Sequence, residues 1–595
     1  MVRSRRRRTQ AARLVALITL LSLTTAAFWQ LVAGAALAAP TKGTSRSAED
    51  DWQFEEEYAK VHKGKEPGAG GLTGGAGVRK SMGPPPAMAP AVARAGNIGL
   101  SVGGAKDIAN FRENILQGFL PQPTDVTYEG LFYDYYFDAG GTCAGDTLFC
   151  PSYATAVSND PVTGSPQYYL SVGLASGVKV ADFSRKKLNL MLVLDVSGSM
   201  SAPFDKYYYD RFGNRHERPE TDKDAGLSKL AAASEALIAL LDHLHPDDRF
   251  GLVLFDQYAY TALTLRPVGA RDMEAVKGHI RELRPLGSTN LDAGLALATN
   301  LMRPARENSP DQYENRIVFM TDAMPNTGDT SDKEFLTRIQ DNAKVKIYAT
   351  VIGIGVDFNT ALTESITKAR GANYYSIHSA DAFRKRLDTE FDCLVTPLVF
   401  DLTLDFKSSS YTIDAVYGSP EADAATGELM RVNTLFPSPT TDDGSRGGLI
   451  LLRLTKTGTN PSIALTAHYE DRSGKRQATA AAVNFPASGE RYDAPSIRKG
   501  ILLARYATLL RQWLEAAGGG AATDAATLEQ APPPPAGRPR LGQWERPSRQ
   551  MRLTAAQRAQ FARFRGYFQK EMAQCQDPSL KRELDVLDKL SHERP

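Results

Sequence analysis

The sequence predicts a multidomain protein of mixed class: an α/β domain with a mostly parallel sheet and helices on both faces, flanked by all-β segments. Three observations predict it. The chain has 595 residues, too many for a single hydrophobic core, so two to four domains are expected. Through residues 184–392, short apolar runs alternate with helical patterns, the signature of a Rossmann-like sheet with right-handed crossovers. Through 393–490 the pattern changes to short alternating strands separated by turn signals.

Within the α/β stretch the strand candidates are Leu188–Leu194, Phe250–Phe255, Ile317–Met320 and Val345–Ile352. Leu230, Leu237, Leu241 and Leu244 give one helix face, closed by His245-Pro246-Asp247; Leu291, Leu295, Ala298 and Leu301 give another. A hairpin step at Ala259–Leu265 supplies a short antiparallel edge. The first strand is the informative one. LNLMLVLDVSGSM, Leu188–Met200, runs apolar and then ends in Asp195, Ser197 and Ser199. Such a strand is buried on both faces and delivers its carboxyl end to the crevice where open α/β sheets place ligands. Alternation turns one carboxylate and two hydroxyls to one side. Oxygen donors with a single nearby charge suit a hard cation, Mg²⁺ or Mn²⁺ before Zn²⁺.

Asp-x-Ser-x-Ser after an apolar strand is similar to the metal-ion-dependent adhesion site of a von Willebrand factor type A domain. LGSTNLDAG offers Thr289 and RIVFMTDAMPN offers Asp322, in the family's order. The one departure is Ala323, where the family usually has Gly after the last Asp. The resemblance implies that Asp195, Ser197, Ser199, Thr289 and Asp322 hold one Mg²⁺ or Mn²⁺ and leave a coordination position for a carboxylate from a partner protein. It also implies a non-enzymatic protein: metal-dependent recognition or adhesion in the cell envelope. The alternatives are a structural subunit of an envelope assembly and a metal-dependent hydrolase. The hydrolase lacks a base in the three motif loops, since His243 and His245 lie at the far end of the following helix.

Residues 1–40 read as an address. Arg3 and Arg5–Arg8 precede an apolar stretch from Leu14 to Ala39, with a small-residue cleavage site at Ala36-Leu37-Ala38. A signal peptide is favoured over a retained membrane anchor. Either places the chain outside the cytoplasm: periplasmic, membrane-anchored or extracellular. Residues 41–96 are dense in Gly and Pro and read as a disordered linker; the acidic aromatic stretch Asp51–Tyr58 within it reads as solvated, with a short docking motif as the alternative.

Residues 97–183 carry a helix through Ile108, Phe111, Ile115 and Phe119, then an aromatic run, Leu131–Phe137, then strands at Gln167–Val172 and Gly177–Phe183. This segment resembles the amino-terminal region of bacterial secreted von Willebrand A proteins. Strands at Val399–Phe406, Tyr411–Val416, Gly448–Leu454, Ser462–His468 and Gln477–Val483 suggest a β-sandwich, built from segments before and after an inserted α/β domain. An amphipathic helix follows over 491–516, then a Pro/Gly/Ala linker over 517–548, then two C-terminal helices over 549–595.

An insertion, 201–226, leaves the metal loop directly. Its Tyr207, Tyr208 and Tyr209 suit a partner-binding surface or a locally packed loop. In an export context Cys143 and Cys150 pair as a disulfide, while Cys393 and Cys575 are left open. A formal charge of +2 gives no broad basic surface for nucleic acid.

Overall fold

The computed structural model describes residues 48–592 except 64–96, 107–109, 122, 141–142, 144–146, 203–207, 210–214, 217–226, 309–311, 323–329, 355–364, 378–379, 389, 420–428, 486–488 and 519–548. The expected address at 1–40, most of both linkers, Tyr207 and Ala323 lie outside the described residues. Among the described residues no helix is long and apolar enough to cross a membrane.

The chain opens with helix α1, Phe54–Val61. Strands β1 (Asn97–Val102), β2 (Ala105–Lys106), β3 (Cys150–Asn159) and β4 (Pro166–Lys179) follow. The α/β stretch supplies β5 (Lys187–Asp195), helix α2 (Lys229–Leu241), β6 (Arg249–Phe255), β7 (Ala259–Pro267) and α3 (Met273–Glu282). It continues with α4 (Leu291–Asn308), β8 (Tyr313–Thr321), α5 (Thr330–Lys344), β9 (Ile347–Ile354) and β10 (Asn373–Ile377). After it come β11 (Val399–Lys407), β12 (Tyr411–Tyr417), β13 (Leu429–Ser438), β14 (Leu449–Lys456), β15 (Ser462–Asp471) and β16 (Arg476–Asn484). Helices α6 (Pro495–Gly518), α7 (Ala555–Cys575) and α8 (Lys581–His592) close the chain.

Seven strands form the first sheet in the order β7-β6-β5-β8-β9-β10-β2. All neighbours are parallel except β6 and β7. β5 lies inside the sheet, between β6 and β8, and is covered on both faces. Leu190, Leu192 and Leu194 join one core with α2, while Met191 and Val193 join another with α4. Gly294 in α4 is required by that packing: a Cβ there would meet the Phe255 ring at 2.9 Å and Val193 at 3.2 Å. The close approach fixes the helix start, and with it the loop that carries Thr289.

The flanking strands pair into one ten-stranded sheet, β12-β14-β4-β1-β13-β11-β15-β16, with β3 on β4 and Arg491–Tyr492 on β3. The expected two separate sheets are therefore joined, because the 14-residue β4 pairs with β14, β3 and β1. Sequence suggested two strands here, broken near Gly173. The strand instead runs on, and Gly173 serves a close approach, since a Cβ would lie 2.3 Å from the Ala139 carbonyl oxygen. One face of the sheet encloses Leu170, Val172, Leu402, Val432, Ile450 and Ile463. The other, through Tyr169, Leu449 and Leu451, meets α6, α7 and α8. Thr554 and Gln557 form a capping box that starts α7.

The stretch Asp51–Tyr58, expected to be solvated, is instead folded onto the α/β domain. Phe54 is buried against Tyr260 on the edge strand β7, with ring centroids 5.6 Å apart. Trp52 stacks on His279 at 4.8 Å, and Asp51 bonds the fully buried Arg271 at 2.8 Å. Aromatic burial outweighs the ordering entropy that composition alone suggested. The segment also covers the open edge of the sheet, where Gln53 N–H donates to the Ala262 carbonyl. Cys143 and Cys150 are disulfide-bonded, with Cα atoms 5.7 Å apart. Cys575 has its thiol pushed up to about 12, by burial first and then by the Glu571 charge.

Candidate metal centre

Each candidate ligand follows from a strand end. β5 carries Asp195 to its carboxyl terminus with no exposed surface, and the chain turns there. Asp195 Oδ1 accepts from the Ser197 N–H at 2.8 Å, and a 3-10 turn over Gly198–Ser201 follows. That turn faces both hydroxyls inward: Ser197 Oγ and Ser199 Oγ are 3.0 Å apart. Ser199 Oγ donates to Asp322 Oδ1 at 2.8 Å. Asp322 sits one residue past the end of β8, the strand beside β5, so the sheet brings together two residues 127 apart in sequence. Thr321 Oγ1 donates to the second oxygen of Asp195.

Thr289 reaches the same pole by a third route. Its loop is stitched to the first one: Gly198 N–H donates to the Gly287 carbonyl at 2.9 Å, and Leu286 N–H donates to the Val196 carbonyl. Thr289 is half-buried, and among the described residues it makes no hydrogen bond to the other four. The structure thus joins Asp195, Ser197, Ser199 and Asp322 in one hydrogen-bonded chain and sets Thr289 in the adjoining loop. Asp195 and Ser197 are buried, while Gly198 is exposed and Ser199 half-buried, so approach is from the Ser199 and Thr289 side.

Three residues escaped the sequence reading. Lys229 Nζ bonds Asp322 Oδ2 at 3.0 Å with its side chain 8% exposed. It opens α2, whose cap is Ser228, accepting from the Ala231 N–H at 3.1 Å. Thr321 orients Asp195, as above. Asp256 follows β6 directly. Its carbonyl accepts from the Asn290 N–H at 2.7 Å, and its carboxylate accepts from Tyr260 and from the Tyr258 N–H. It thereby holds the Thr289 loop. A signal for Asp256 was present: an apolar strand ending in Asp, as at Asp195 and Asp322. Lys229 had none, because it lies 28 positions beyond Ser201.

Burial first, and then the neighbouring Asp322 charge, raise the Asp195 carboxyl well above the ordinary range. Two carboxylates are held close together, away from water, and among the described residues Lys229 is the one cation paired with either of them. A divalent cation suits that arrangement. Among the described residues no group of three or more His, Cys, Asp and Glu is placed to hold a metal ion. The donors here are mainly hydroxyls with carboxylates, the set a hard cation takes.

Of the expected partner contacts, Tyr208–Tyr209 pairs with Arg215–His216 as a two-stranded hairpin within the insertion. His243 Nε2 bonds Asp388 near the opposite end of α2, away from the candidate ligands.

Residues 190–324 match the family model of the von Willebrand factor type A domain. Curated relatives include inter-alpha-trypsin inhibitor heavy chain H4 of Homo sapiens, 24% identical over 225 residues, covering 37% of this chain and 22% of that protein. Heavy chain H1 of Sus scrofa is 25% identical over 229 residues, with the same coverage. The match thus spans about a fifth of the length of these relatives. Among solved structures, a von Willebrand factor type A protein from Catenulispora acidiphila is similar at 13% identity and a TM-score of 0.39, over 67% of this chain and 93% of that one.

Proposed function

We propose that this chain, which carries a von Willebrand factor type A domain, uses it for divalent-metal-dependent recognition of another protein. The observation that carries the reading is the convergence of Asp195, Ser197, Ser199 and Asp322 from two strand ends, with the Thr289 loop stitched beside them.

Those five side chains are the metal ligands in this reading. Mg²⁺ or Mn²⁺ bound there supplies an electron-poor position that accepts a carboxylate from an Asp or Glu exposed on the partner. The protein's own groups set how strongly. Lys229 already balances part of the Asp322 charge, so the site offers little net anionic donation. Thr321 and the Ser197 N–H hold Asp195 in one orientation, leaving no reorganisation to be done at binding. Specificity falls to the surrounding loops, including the insertion with Tyr207, Tyr208 and Tyr209. Similarity to inhibitor heavy chains over the von Willebrand factor type A domain supports a binding protein rather than an enzyme. The setting proposed is the cell envelope or beyond it, with residues 1–40 as export signal or tether.

The test is capture of partners from an envelope extract on the immobilised full chain with Mg²⁺, then with chelator. The expected result is a partner released by chelator and absent from Ser197→Ala/Ser199→Ala. A partner retained by both would overturn the reading.

A further inference from the structure

A second polar site lies at the other end of the same sheet. β5 rises about 27 Å over its length, so its amino end is far from Asp195. There the starts of β8 and β9 face the β15–β16 turn and β11 across a cavity of about 220 Å³. Lys186, Lys346 and Arg472 line it, as do Glu314, Tyr348 and Phe400.

The charges do not cancel locally. Arg370, also in the lining, is taken by Glu470 and Asp401. Asp471 is satisfied within its own turn, by Ser473, the Lys475 N–H and Gln477. Among the described residues no hydrogen bond or ion pair engages the side chains of Lys186, Lys346 or Arg472. Of the three carboxylates in the lining, Glu470 is held by Arg370 and Asp471 by its own turn, which leaves Glu314, 9% exposed, to face these three cations. Its Oε1 is buried without a hydrogen-bond partner; the nearest cation is Arg316 Nη2 at 3.9 Å, itself unpartnered. A buried acceptor left unmade costs free energy that a ligand donor would recover.

We propose that this cavity binds a phosphate dianion that brings its own hydroxyl donor, either free hydrogenphosphate or the phosphate of a small polyol. Lys186, Lys346 and Arg472 take the phosphate oxygens by charge-assisted hydrogen bonds. Glu314 accepts from the hydroxyl. Sulfate matches hydrogenphosphate in size and charge but has no proton to give, so the Glu314 carboxylate rejects it. Occupancy would tie the α/β domain to the ten-stranded sheet at the pole opposite the metal ligands.

The test is calorimetric titration of the full chain at pH 8 in metal-free buffer with three probes: inorganic phosphate, glycerol 3-phosphate and sulfate. Phosphate or glycerol 3-phosphate is expected to bind about tenfold or more tightly than sulfate, the loss of one charged hydrogen bond being worth that much. Which of the two binds better identifies the source. Lys346→Gln with Arg472→Gln is expected to weaken binding about tenfold or more. Should the double variant not fold, Lys346→Gln alone decides, since Lys346 is exposed. Glu314→Gln is expected to bring sulfate level with phosphate. No heat from either phosphate probe, equal binding of sulfate by the unaltered chain, or binding indifferent to Lys346→Gln would overturn the proposal.

Discussion

The two ends of the central strands solve opposite problems with the same residue types. At the carboxyl end, β5 and β8 present Asp195 and Asp322 with one ammonium, Lys229, among hydroxyls. At the amino end, β8 presents Glu314 and Arg316, one fully buried guanidinium among backbone carbonyls and rings. Arg316 Nη1 donates to the Gly371 carbonyl at 2.7 Å, and the guanidinium lies 5.6 Å from the Tyr348 ring centroid. The first pole is short of cationic charge and opens toward solvent at Ser199. The second has cations in excess and is enclosed by another sheet. Charge sign and cover, more than residue type, separate a cation site from an anion site.

The comparison breaks most severely at Arg316. Replacing it by Met leaves Glu314 without its nearest cation and removes the donor that the Ala349 and Gly371 carbonyls and the Thr350 hydroxyl share. A loss of about 3–5 kcal/mol is expected in denaturant unfolding, whereas Ser199→Ala at the open pole should cost far less.

Glu314 sharpens the contrast through pH. Burial raises its carboxyl from 4.5 to about 7. The folded state therefore keeps a proton that the unfolded chain has released. Stability from this group is greatest below about 4.5 and falls as pH rises to about 7, by at most about 3 kcal/mol. Glu314→Gln is expected to flatten the unfolding free energy across that window.

The docked amino-terminal segment is a smaller test of cover. Asp51→Ala removes the carboxylate paired with Arg271, whose side chain has no exposure. A loss of about 1–3 kcal/mol is expected, read as faster amide exchange over 51–62 and unchanged protection in β5.

Legibility followed locality. Five of the seven strands of the α/β sheet, β5 to β9, were readable because each carries an apolar run, whereas β10 and the two-residue β2 were not. Asp195, Ser197 and Ser199 were readable as one local motif; Thr289 and Asp322 needed a resemblance, since nothing in their spacing predicts convergence. Lys229 was hidden by the insertion. Glu314 and Arg316 fell outside the expected strand Ile317–Met320, and the second sheet, through Phe436, helps to bury Arg316. Asp51–Tyr58 misled for the same reason: its apolar side finds cover on β7, over 200 residues away.

At the open pole the smallest predicted effect concerns Lys229. Lys229→Met frees Asp322 to donate fully, so divalent-ion affinity is expected to rise about five- to tenfold, by roughly 1 kcal/mol of relieved like-charge repulsion. Titration with Mn²⁺ reads it.

The proposed recognition depends on Asp195, Ser197, Ser199, Thr289 and Asp322 together holding one divalent ion. Calorimetric titration of Mg²⁺ and Mn²⁺ into the full chain and into Asp195→Ala tests it most directly. One ion per chain is expected for the unaltered protein and none for the variant. Binding that survives Asp195→Ala, or no binding by the unaltered chain, would contradict it.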